Sequence, residues 1–394
     1  MKDLFCPGHG RVDVGSLTFI CSCEKKDAKC LKTHLPKNDV IEIFNKDRDK
    51  NAKIIEDKSD PKKFLHQISR CPNGGIVQMY CNICKNGTDI SYILKKGNLS
   101  KQIITSFLGT TGSGKSNMIA CLYKSIEKYT TSEGLSLIPL PQQLKKDFDD
   151  VYLKPLFPPN NNERRHCVKK TDTNEQYPFY FEVGQQHYIF FYDFPGEKLL
   201  DYTPFLKLHS VRESKCIVLL IPPESLNLEE YCRQKKGDNN YNYSHYDNST
   251  ISTNISSHFP DKKLKKLIIV MSKADNFFRE GILNINPFET IKASEKVFKM
   301  YFEKPHDCNG KITIDYEWIK KYSDACKMFF IEVGKEVGLT QLINNAPIYA
   351  DEVLCFVVSS FGSVGLKEEE GTVYLKGEPE MRQIDNIFYS IINN

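Results

Sequence analysis

The chain has 394 residues, of which 40% are hydrophobic and 26% charged; this is enough for two or three domains, and it excludes wholesale disorder. Its 54 basic and 50 acidic residues leave a net charge of +4, which gives no strong electrostatic case for nucleic-acid or membrane binding, although it leaves room for a local basic patch. No apolar run approaches the roughly 20 residues that cross a bilayer, and the first residues lack the apolar core of a signal peptide. We therefore expect a cytoplasmic protein.

Cysteine is concentrated at the start of the chain, where seven of the 14 cysteines precede residue 85. In a reducing compartment such a cluster indicates metal ligands rather than disulfides. Cys81 with Cys84, and Cys6 with His9, have the two-residue spacing with which a tight turn directs two side chains at one tetrahedral Zn²⁺. Residues 1–95 are therefore predicted to form a zinc-ribbon-like module. The candidate ligands are Cys6, His9, Cys21, Cys23, Cys71, Cys81 and Cys84.

The number of zinc sites stays open, because seven candidates exceed one four-ligand site and fall short of two. Cys71 begins a knuckle that lacks its second cysteine, so a second site would need a histidine or would be incomplete. The alternative is a small domain whose cysteines hold no metal.

A phosphate-loop motif, G-x-x-x-x-G-K-S, follows an apolar strand pattern that begins near Ile103 and precedes a helical pattern. Its glycines allow consecutive amide groups to line an anion site, and the next helix adds its positive N-terminal end. Lys115 is predicted to bind the β- and γ-phosphates, and the Ser116 hydroxyl to bind Mg²⁺. The candidate nucleotide-binding residues here are Gly109, Thr110, Thr111, Gly112, Ser113, Gly114, Lys115, Ser116 and Asn117.

The helical period continues over 116–129, with Met118, Ile119, Leu122 and Ile126 on one side. Residues 130–176 are polar and contain prolines, which favours long loops. In nucleotide switches such a segment senses the metal. Thr171 and Thr173 are the candidates for a threonine that contacts Mg²⁺, and no local pattern selects between them.

Two aromatic strand patterns, 179–183 and 187–192, are joined by a glycine-containing turn and predict a hairpin. The second ends at Asp193-Phe-Pro-Gly196-Glu197. An aspartate at the tip of a buried strand can reach the Mg²⁺ held by Ser116, and the amide of Gly196 can approach a γ-phosphate.

A third buried strand is predicted over 216–221 and a fourth over 267–271. Between them, residues 225–262 are rich in Asn, Ser, Tyr and Lys. We expect a low-complexity surface insertion there, because it offers too little apolar surface to order itself.

Directly after the fourth strand come Ser272-Lys273-Ala274-Asp275. A carboxylate at this position can accept from the N1–H and the exocyclic amino group of guanine, which adenine does not offer. The stem of Lys273 would pack along the base. A fifth strand over 353–358 leads to Ser359-Ser360-Phe361-Gly362, where backbone amides are expected to contact the base carbonyl.

The remaining segments are predicted as helices and loops over 276–350, a charged hairpin over 366–380, and a final helix over 381–392. The expected fold class is α/β, with a mainly parallel sheet and one antiparallel edge hairpin over residues 96–394.

The motifs follow one another in the order of the GTPase fold, each after a buried strand. From residue 101 onward the chain resembles the TRAFAC class of P-loop GTPases, and most closely the bacterial double-GTPase group in which a zinc ribbon precedes the GTPase domain. The resemblance is carried by FLGTTGSGKSNMIACL, IFFYDFPGEK, CIVLLIPP, KLIIVMSKAD and LCFVVSSFG. It implies a Mg²⁺-dependent GTP switch, in a group associated with bacterial conflict or defence systems, that hydrolyses GTP and responds through a protein partner or self-association.

Two residues depart from the usual motifs. Ser272 replaces the usual Asn or Thr, and Glu197 stands where many GTPases have the glutamine that positions the attacking water. A glutamate cannot donate to the phosphoryl group and its charge opposes the γ-phosphate, so unaided hydrolysis is expected to be slow. Lys115, Gly196 and Glu197 are the candidate catalytic residues. The competing interpretations are a GTP-gated scaffold that hardly hydrolyses GTP, and an ATPase that acts on nucleic acid through the zinc module.

Overall fold

In a computed structural model of the protein, the chain divides into two compact units, residues 1–102 with 140–143, and residues 103–139 with 144–394. The assignment of a zinc-binding module to 1–95 and of a GTPase domain to 96–394 stays a prediction. The structure describes residues 3–6, 10–13, 17–21, 35–36, 77–81, 87–89, 102–109, 112–140, 146, 148–160, 163–168, 179–183, 187–193, 211, 214–226, 248–260, 263–275, 291–308, 311–335 and 337–393.

The first unit contains short antiparallel strands. Strands β1 (Asp3–Cys6) and β2 (Gly10–Asp13) form a two-stranded sheet. A second sheet has the order β4-β3-β5-β6. Its strands are β3 (Leu17–Cys21), β4 (Leu35–Pro36), β5 (Val77–Cys81) and β6 (Gly87–Asp89).

Three of the predicted zinc ligands, Cys6, Cys21 and Cys81, end strands of this unit. In the register of β3 and β5, Cys21 lies opposite Val77 and Cys81 opposite Leu17. Four residues of strand separate the two cysteines by about 13 Å, which is too far for both to bind one ion. The backbone thus favours placing them in different ligand groups. His9, Cys23, Cys71 and Cys84 lie outside the described residues, and zinc binding itself stays a prediction.

The second unit is built on a seven-stranded sheet with the order β15-β12-β11-β7-β10-β9-β8. Strands β7, β11, β12 and β15 are parallel, and β9 and β10 are antiparallel to each other. The strands are β7 (Gln102–Gly109), β8 (Leu137–Leu140), β9 (Phe179–Val183), β10 (His187–Asp193), β11 (Cys216–Ile221), β12 (Leu264–Met271) and β15 (Ala350–Val357).

The centre of the sheet is apolar because its parallel strands are covered on both faces. Every residue of β11 is buried, and so are all residues of β12 except Lys265. The sequence predicted β9, β10 and β11 closely, and it predicted β12 and β15 a few residues short at their starts. The α/β class and the combination of parallel strands with an antiparallel pair are confirmed.

Helices complete the second unit. Helix α1 (Lys115–Ser132) buries Met118, Ile119, Leu122 and Ile126 as predicted, and it packs against the last helix, α7. A single π-helical turn, Asp149–Leu153, runs into α2 (Lys154–Leu156). The other helices are α3 (Asn248–Ser257), α4 (Lys292–Tyr301), α5 (Tyr316–Val333), α6 (Leu339–Asn345) and α7 (Ile384–Ile392), with 3₁₀ turns at Pro223–Leu226 and Ala346–Ile348.

In the described part of the second unit, two short hairpins lie outside the large sheet. Strands β13 (Asp307–Cys308) and β14 (Lys311–Ile312) form one, and β16 (Leu366–Glu369) and β17 (Thr372–Leu375) form the other. The second lies within the charged hairpin predicted over 366–380; most of β16 is exposed, whereas β17 is half-buried and ends at the buried Leu375.

Two expectations from the sequence are wrong. The β9–β10 hairpin is not the edge of the sheet, because β8 lies beyond β9, inside the segment expected to form loops. Part of the segment 225–262 is ordered, because residues 248–257 form α3. Helix α3 packs against α6 and buries Ile251 and Ile255, whose spacing of four residues places both on one helical face. Among the helices that the structure describes, none has the length and apolarity required to span a bilayer.

Candidate functional site

The phosphate-loop motif connects β7 to α1, and its described backbone has the shape that the glycines permit. Gly112 and Gly114 both have φ of 78°, in the left-handed region. A side chain at Gly109 would meet the Leu220 carbonyl oxygen at 2.7 Å. Only glycine therefore fits where the end of β7 passes β11. Thr110 and Thr111 lie outside the described residues.

Lys115 begins α1 and is almost fully buried, with 8% of its surface exposed. Its ammonium group donates to the Gly109 carbonyl oxygen at 2.8 Å, across the mouth of the loop. The cation is therefore held beside the first residue of the phosphate loop, at the N-terminal end of an 18-residue helix. Both features favour a bound anion.

Ser116 and Asp193 come together as the sequence predicts. The Ser116 hydroxyl donates to Oδ2 of Asp193 at 2.7 Å, which links the start of α1 to the end of β10. The same carboxylate oxygen accepts from the phenol of Tyr152 at 3.1 Å. The pKa of Asp193 is raised above its usual value, because the effect of burial outweighs the opposing effects of the Lys115 charge and of the hydrogen bonds from Ser116 and Tyr152.

The pair of Ser116 and Asp193 suits Mg²⁺ that is bound together with a phosphate. Magnesium prefers oxygen ligands and takes one or two carboxylates plus substrate phosphates, rather than a cage made only of protein groups. Across the ranges that the structure describes, no three His, Cys, Asp or Glu side chains cluster to form such a cage. A hydroxyl and a carboxylate beside a phosphate loop therefore fit this metal, and the phosphates would complete its coordination.

The loop after β12 is hydrogen-bonded to the phosphate loop. Ser272 is buried, and its hydroxyl donates to the Ser113 carbonyl oxygen at 2.7 Å. The stem of Lys273 passes over the same loop, with its Cε 3.9 Å from the position that a Cβ on Gly114 would take. Lys273 has φ of 53°, which is strained for a residue with a side chain. Strain of this kind persists where the surrounding structure fixes the backbone.

Asp275 meets the loop after β15. The Ser359 hydroxyl donates to Oδ1 of Asp275 and accepts from the backbone amides of Phe361 and Gly362, at 3.2 and 2.8 Å. Because the two amides take the lone pairs of the hydroxyl, its proton is directed at the carboxylate. Ser359 thus fixes the orientation of Asp275.

Ser359 acts differently from what the sequence suggested. Its backbone amide donates to the Arg382 carbonyl oxygen at 3.1 Å and is not directed at a base; the expectation that this amide reads a base carbonyl is wrong. The Ser360 carbonyl oxygen faces the Cys121 thiol of α1 at 3.6 Å, which ties the loop to the helix.

Asn117 is also used within the protein. Its side-chain oxygen accepts from the Val168 amide at 2.8 Å, and it therefore holds residues 163–168 against α1. That segment is held from its other side by β17: the Cys167 amide donates to Val373, and the Leu375 amide to Arg165. The predicted contact between Asn117 and a nucleotide has no support from this geometry.

Sequence reasoning missed Tyr152. It lies in the polar, proline-containing segment that was expected to form loops, yet it is 4% exposed and contacts the predicted metal ligand Asp193. The signal was the apolar spacing Phe148, Tyr152, Leu153 and Leu156, which has a helical period. The other predicted site residues of this region, Gly196 and Glu197, lie outside the described residues.

Comparison with known proteins adds little to this geometry. No protein-family model matches the chain, and no curated protein matches it. Among solved structures, the GTPase-like domain of Ski7 from S. cerevisiae, bound to GDP and inorganic phosphate, is similar with 18% identity and a TM-score of 0.26. The alignment covers 50% of this chain and 38% of the Ski7 chain, so this chain spans well under half the length of that protein.

The Roco2 RocCORdC protein of Methanosarcina barkeri, bound to GDP, is similar with 13% identity and a TM-score of 0.19. Here the alignment covers 75% of this chain and 77% of the other. TM-scores this low carry no argument about this chain. The strand order and the site contacts described above stand on their own.

Proposed function

We propose that the protein is a Mg²⁺-dependent guanine-nucleotide-binding protein that hydrolyses GTP to GDP and phosphate. The observation that carries the proposal is the hydrogen bonding that joins the loop after β7 to the loop after β12, and the start of α1 to the end of β10. Ser272 bonds to the phosphate loop at Ser113, and Ser116 bonds to Asp193. In open α/β sheets ligands bind at the edge formed by the carboxyl ends of the strands.

Each described side chain has a role that its contacts support. Lys115 would leave the Gly109 carbonyl for the β- and γ-phosphates, since a phosphate is the stronger acceptor. Ser116 and Asp193 would hold Mg²⁺, which supplies charge neutralisation for the β- and γ-phosphate oxygens. Asp275, oriented by Ser359, would accept from the two donors of guanine, and Lys273 would cover the base.

Gly196 and Glu197 are proposed from the sequence alone. Gly196 would sense the γ-phosphate, and Glu197 in place of glutamine would make unaided hydrolysis slow. Without a partner arginine, GTPases turn over on the order of 10⁻⁴ to 10⁻³ s⁻¹. We infer that a protein partner or a second copy of the chain accelerates this protein, so that its nucleotide state acts as a switch.

The finer assignment also belongs to this proposal. Membership of the TRAFAC class, the relationship to the double-GTPase group, the zinc ribbon and a role in bacterial defence rest on the motif resemblance. In this picture the zinc module is a protein-binding element.

Single-turnover phosphate release tests the proposal. Protein in excess over GTP, with Mg²⁺, is expected to release phosphate slowly, and Asp193→Ala is expected to reduce that rate by about 10- to 100-fold, as for the loss of a metal-site group. Asp351→Ala, at an exposed aspartate of the edge strand β15, is the matched control and should leave the rate unchanged. Release no faster than in Asp193→Ala would leave a GTP-gated scaffold as the better account.

A further inference from the structure

Tyr152 is held in a closed set of contacts around the Ser116–Asp193 pair. Its ring stacks on Phe148, with ring centroids 5.2 Å apart and planes within 13°. Phe148 in turn contacts Tyr123 of α1, with centroids 5.1 Å apart. Helix α1 carries Ser116 at its start, and Ser116 bonds to the same Asp193 oxygen as Tyr152. The contacts therefore begin and end on α1, at Tyr123 and at Ser116.

The phenol is a hydrogen-bond donor in this arrangement. A tyrosine phenol has its proton at neutral pH, so it can donate to a carboxylate. A buried phenol needs a partner, and here a carboxylate 3.1 Å away accepts from it. Hydrogen bonds to charged groups are the strong ones.

The backbone around Tyr152 is also unusual. Residues Asp149–Leu153 form a π-helical turn, which is rare and is frequently found at functional sites. Phe148 and Tyr152, four residues apart, lie on one face of this turn and stack on each other. Phenylalanine at position 152 would fill the same space, so packing alone does not require the hydroxyl.

We infer that Tyr152 is a positioning residue of the Mg²⁺ site, which orients the Asp193 carboxylate through its phenol and so raises the affinity of the nucleotide complex for Mg²⁺. This inference rests on the proposed function, because it presumes that Ser116 and Asp193 bind Mg²⁺ beside a nucleotide. A group hydrogen-bonded to a metal ligand typically contributes about 10- to 100-fold to metal affinity.

The test is a Mg²⁺ titration of full-length protein that was stripped with EDTA and loaded with a fluorescent GDP analogue. The readout is dissociation of the analogue, and it requires no hydrolysis. Tyr152→Phe should raise the Mg²⁺ concentration at half-effect by about 10-fold or more, since it removes only the hydroxyl. In excess EDTA, the affinity of Tyr152→Phe for the analogue should equal that of the wild type. If Tyr152 had a merely structural role, the substitution would lower the affinity in EDTA as well.

Tyr123→Phe is the matched control, because Tyr123 belongs to the same aromatic stack and is equally buried. It should leave the Mg²⁺ midpoint unchanged. A midpoint for Tyr152→Phe within twofold of the wild type, or an equal loss of affinity with and without Mg²⁺, would overturn the inference while leaving guanine-nucleotide binding intact. If the wild type itself shows no effect of Mg²⁺ on the analogue, the proposed metal site fails, and this inference fails with it.

Discussion

The carboxylate of Asp275 is oriented before any base arrives, because Ser359 donates to one of its oxygens and is itself fixed by two backbone amides. Guanine offers an N1–H and an amino group to such a carboxylate, whereas adenine would leave the charge unpaired. Under the proposed function, this one side chain selects guanine over adenine.

Replacing Asp275 with asparagine should change the preferred base. The amide NH₂ would oppose the exocyclic amino group of guanine but would donate to the carbonyl that xanthine has in the same place. We expect Asp275→Asn to weaken GDP binding by at least about 100-fold and to bind xanthosine diphosphate more tightly than GDP. Calorimetric titration with both nucleotides measures this, with Asp351→Asn as the control. Unchanged GDP affinity in Asp275→Asn would show that the carboxylate does not contact the base.

Asp385, at the start of α7, gives a prediction about pH. Burial raises its pKa above the usual 3.8, and the charges of His306 and Lys128 and two backbone amides oppose that rise. Because the folded pKa is raised, the folded protein binds more protons than the unfolded chain above pH 3.8, and stability falls as pH rises through the folded pKa.

Asp385→Asn removes this titration while keeping a neutral group of the same shape. As the pH rises from 4 to 7, the melting temperature of the variant should therefore rise relative to that of the wild type, because only the wild type has a carboxyl group that must lose its proton. Thermal unfolding of both proteins over this range provides the measurement, and parallel curves would contradict the assignment.

At the scale of elements, residues 163–168 connect the phosphate-loop helix to the β16–β17 hairpin. Asn117 accepts from Val168 on one side, and β17 pairs with Arg165 and Cys167 on the other. Arg164 also bonds to Glu369 at 2.6 Å and stacks on Tyr374. The exposed ion pair contributes little by itself, and the backbone pairing is what holds the segment.

Asn117→Ala should release one side of this segment. Loss of an ordinary hydrogen bond of about 1 kcal/mol should speed hydrogen exchange at the Val168 amide by about fivefold. Exchange at the Leu375 amide, which donates to Arg165, is the internal control and should change much less. Equal acceleration at both amides would indicate general destabilisation rather than a local release.

Helix α3 can be tested through its buried face. Ile255 is fully buried, and truncating it should cost about 2–4 kcal/mol of unfolding free energy through lost burial and a cavity. Thr253→Ala, on the exposed face of the same helix, should change stability by less than about 0.5 kcal/mol. Chemical denaturation of the two variants distinguishes a packed helix from an unstructured insertion, for which both substitutions would be nearly neutral.

The elements that the sequence predicted well are those whose patterns are set by burial. Strand β11 and helix α1 have the periods of a doubly covered strand and of a one-sided helix, and both are found at the expected residues. The sequence did not predict strand β8 and helix α3, because the segments around them are polar. Helix α3 is ordered by tertiary contacts, such as the hydrogen bond from the Asn248 side chain to the Val337 carbonyl, and not by its local composition.

For the whole molecule, the order of motifs along the chain indicated which loops would meet, since parallel strands bring their carboxyl ends to one edge. That argument places Ser116 near Asp193, and Asp275 near Ser359. The order of the motifs does not predict the contact between Tyr152 and Asp193, which depends on a π-helical turn. It also does not predict that Ser359 contacts Asp275 through its side chain while its backbone amide bonds elsewhere.

Guanine-nucleotide binding at this edge of the sheet is the central claim, and calorimetric titration of the wild-type protein with GDP and with ADP, in the presence of Mg²⁺, tests it most directly. The geometry of Asp275, Lys273 and the phosphate loop predicts that GDP binds at least about 100-fold more tightly than ADP. Equal or tighter binding of ADP, or no binding of either nucleotide, would contradict the account.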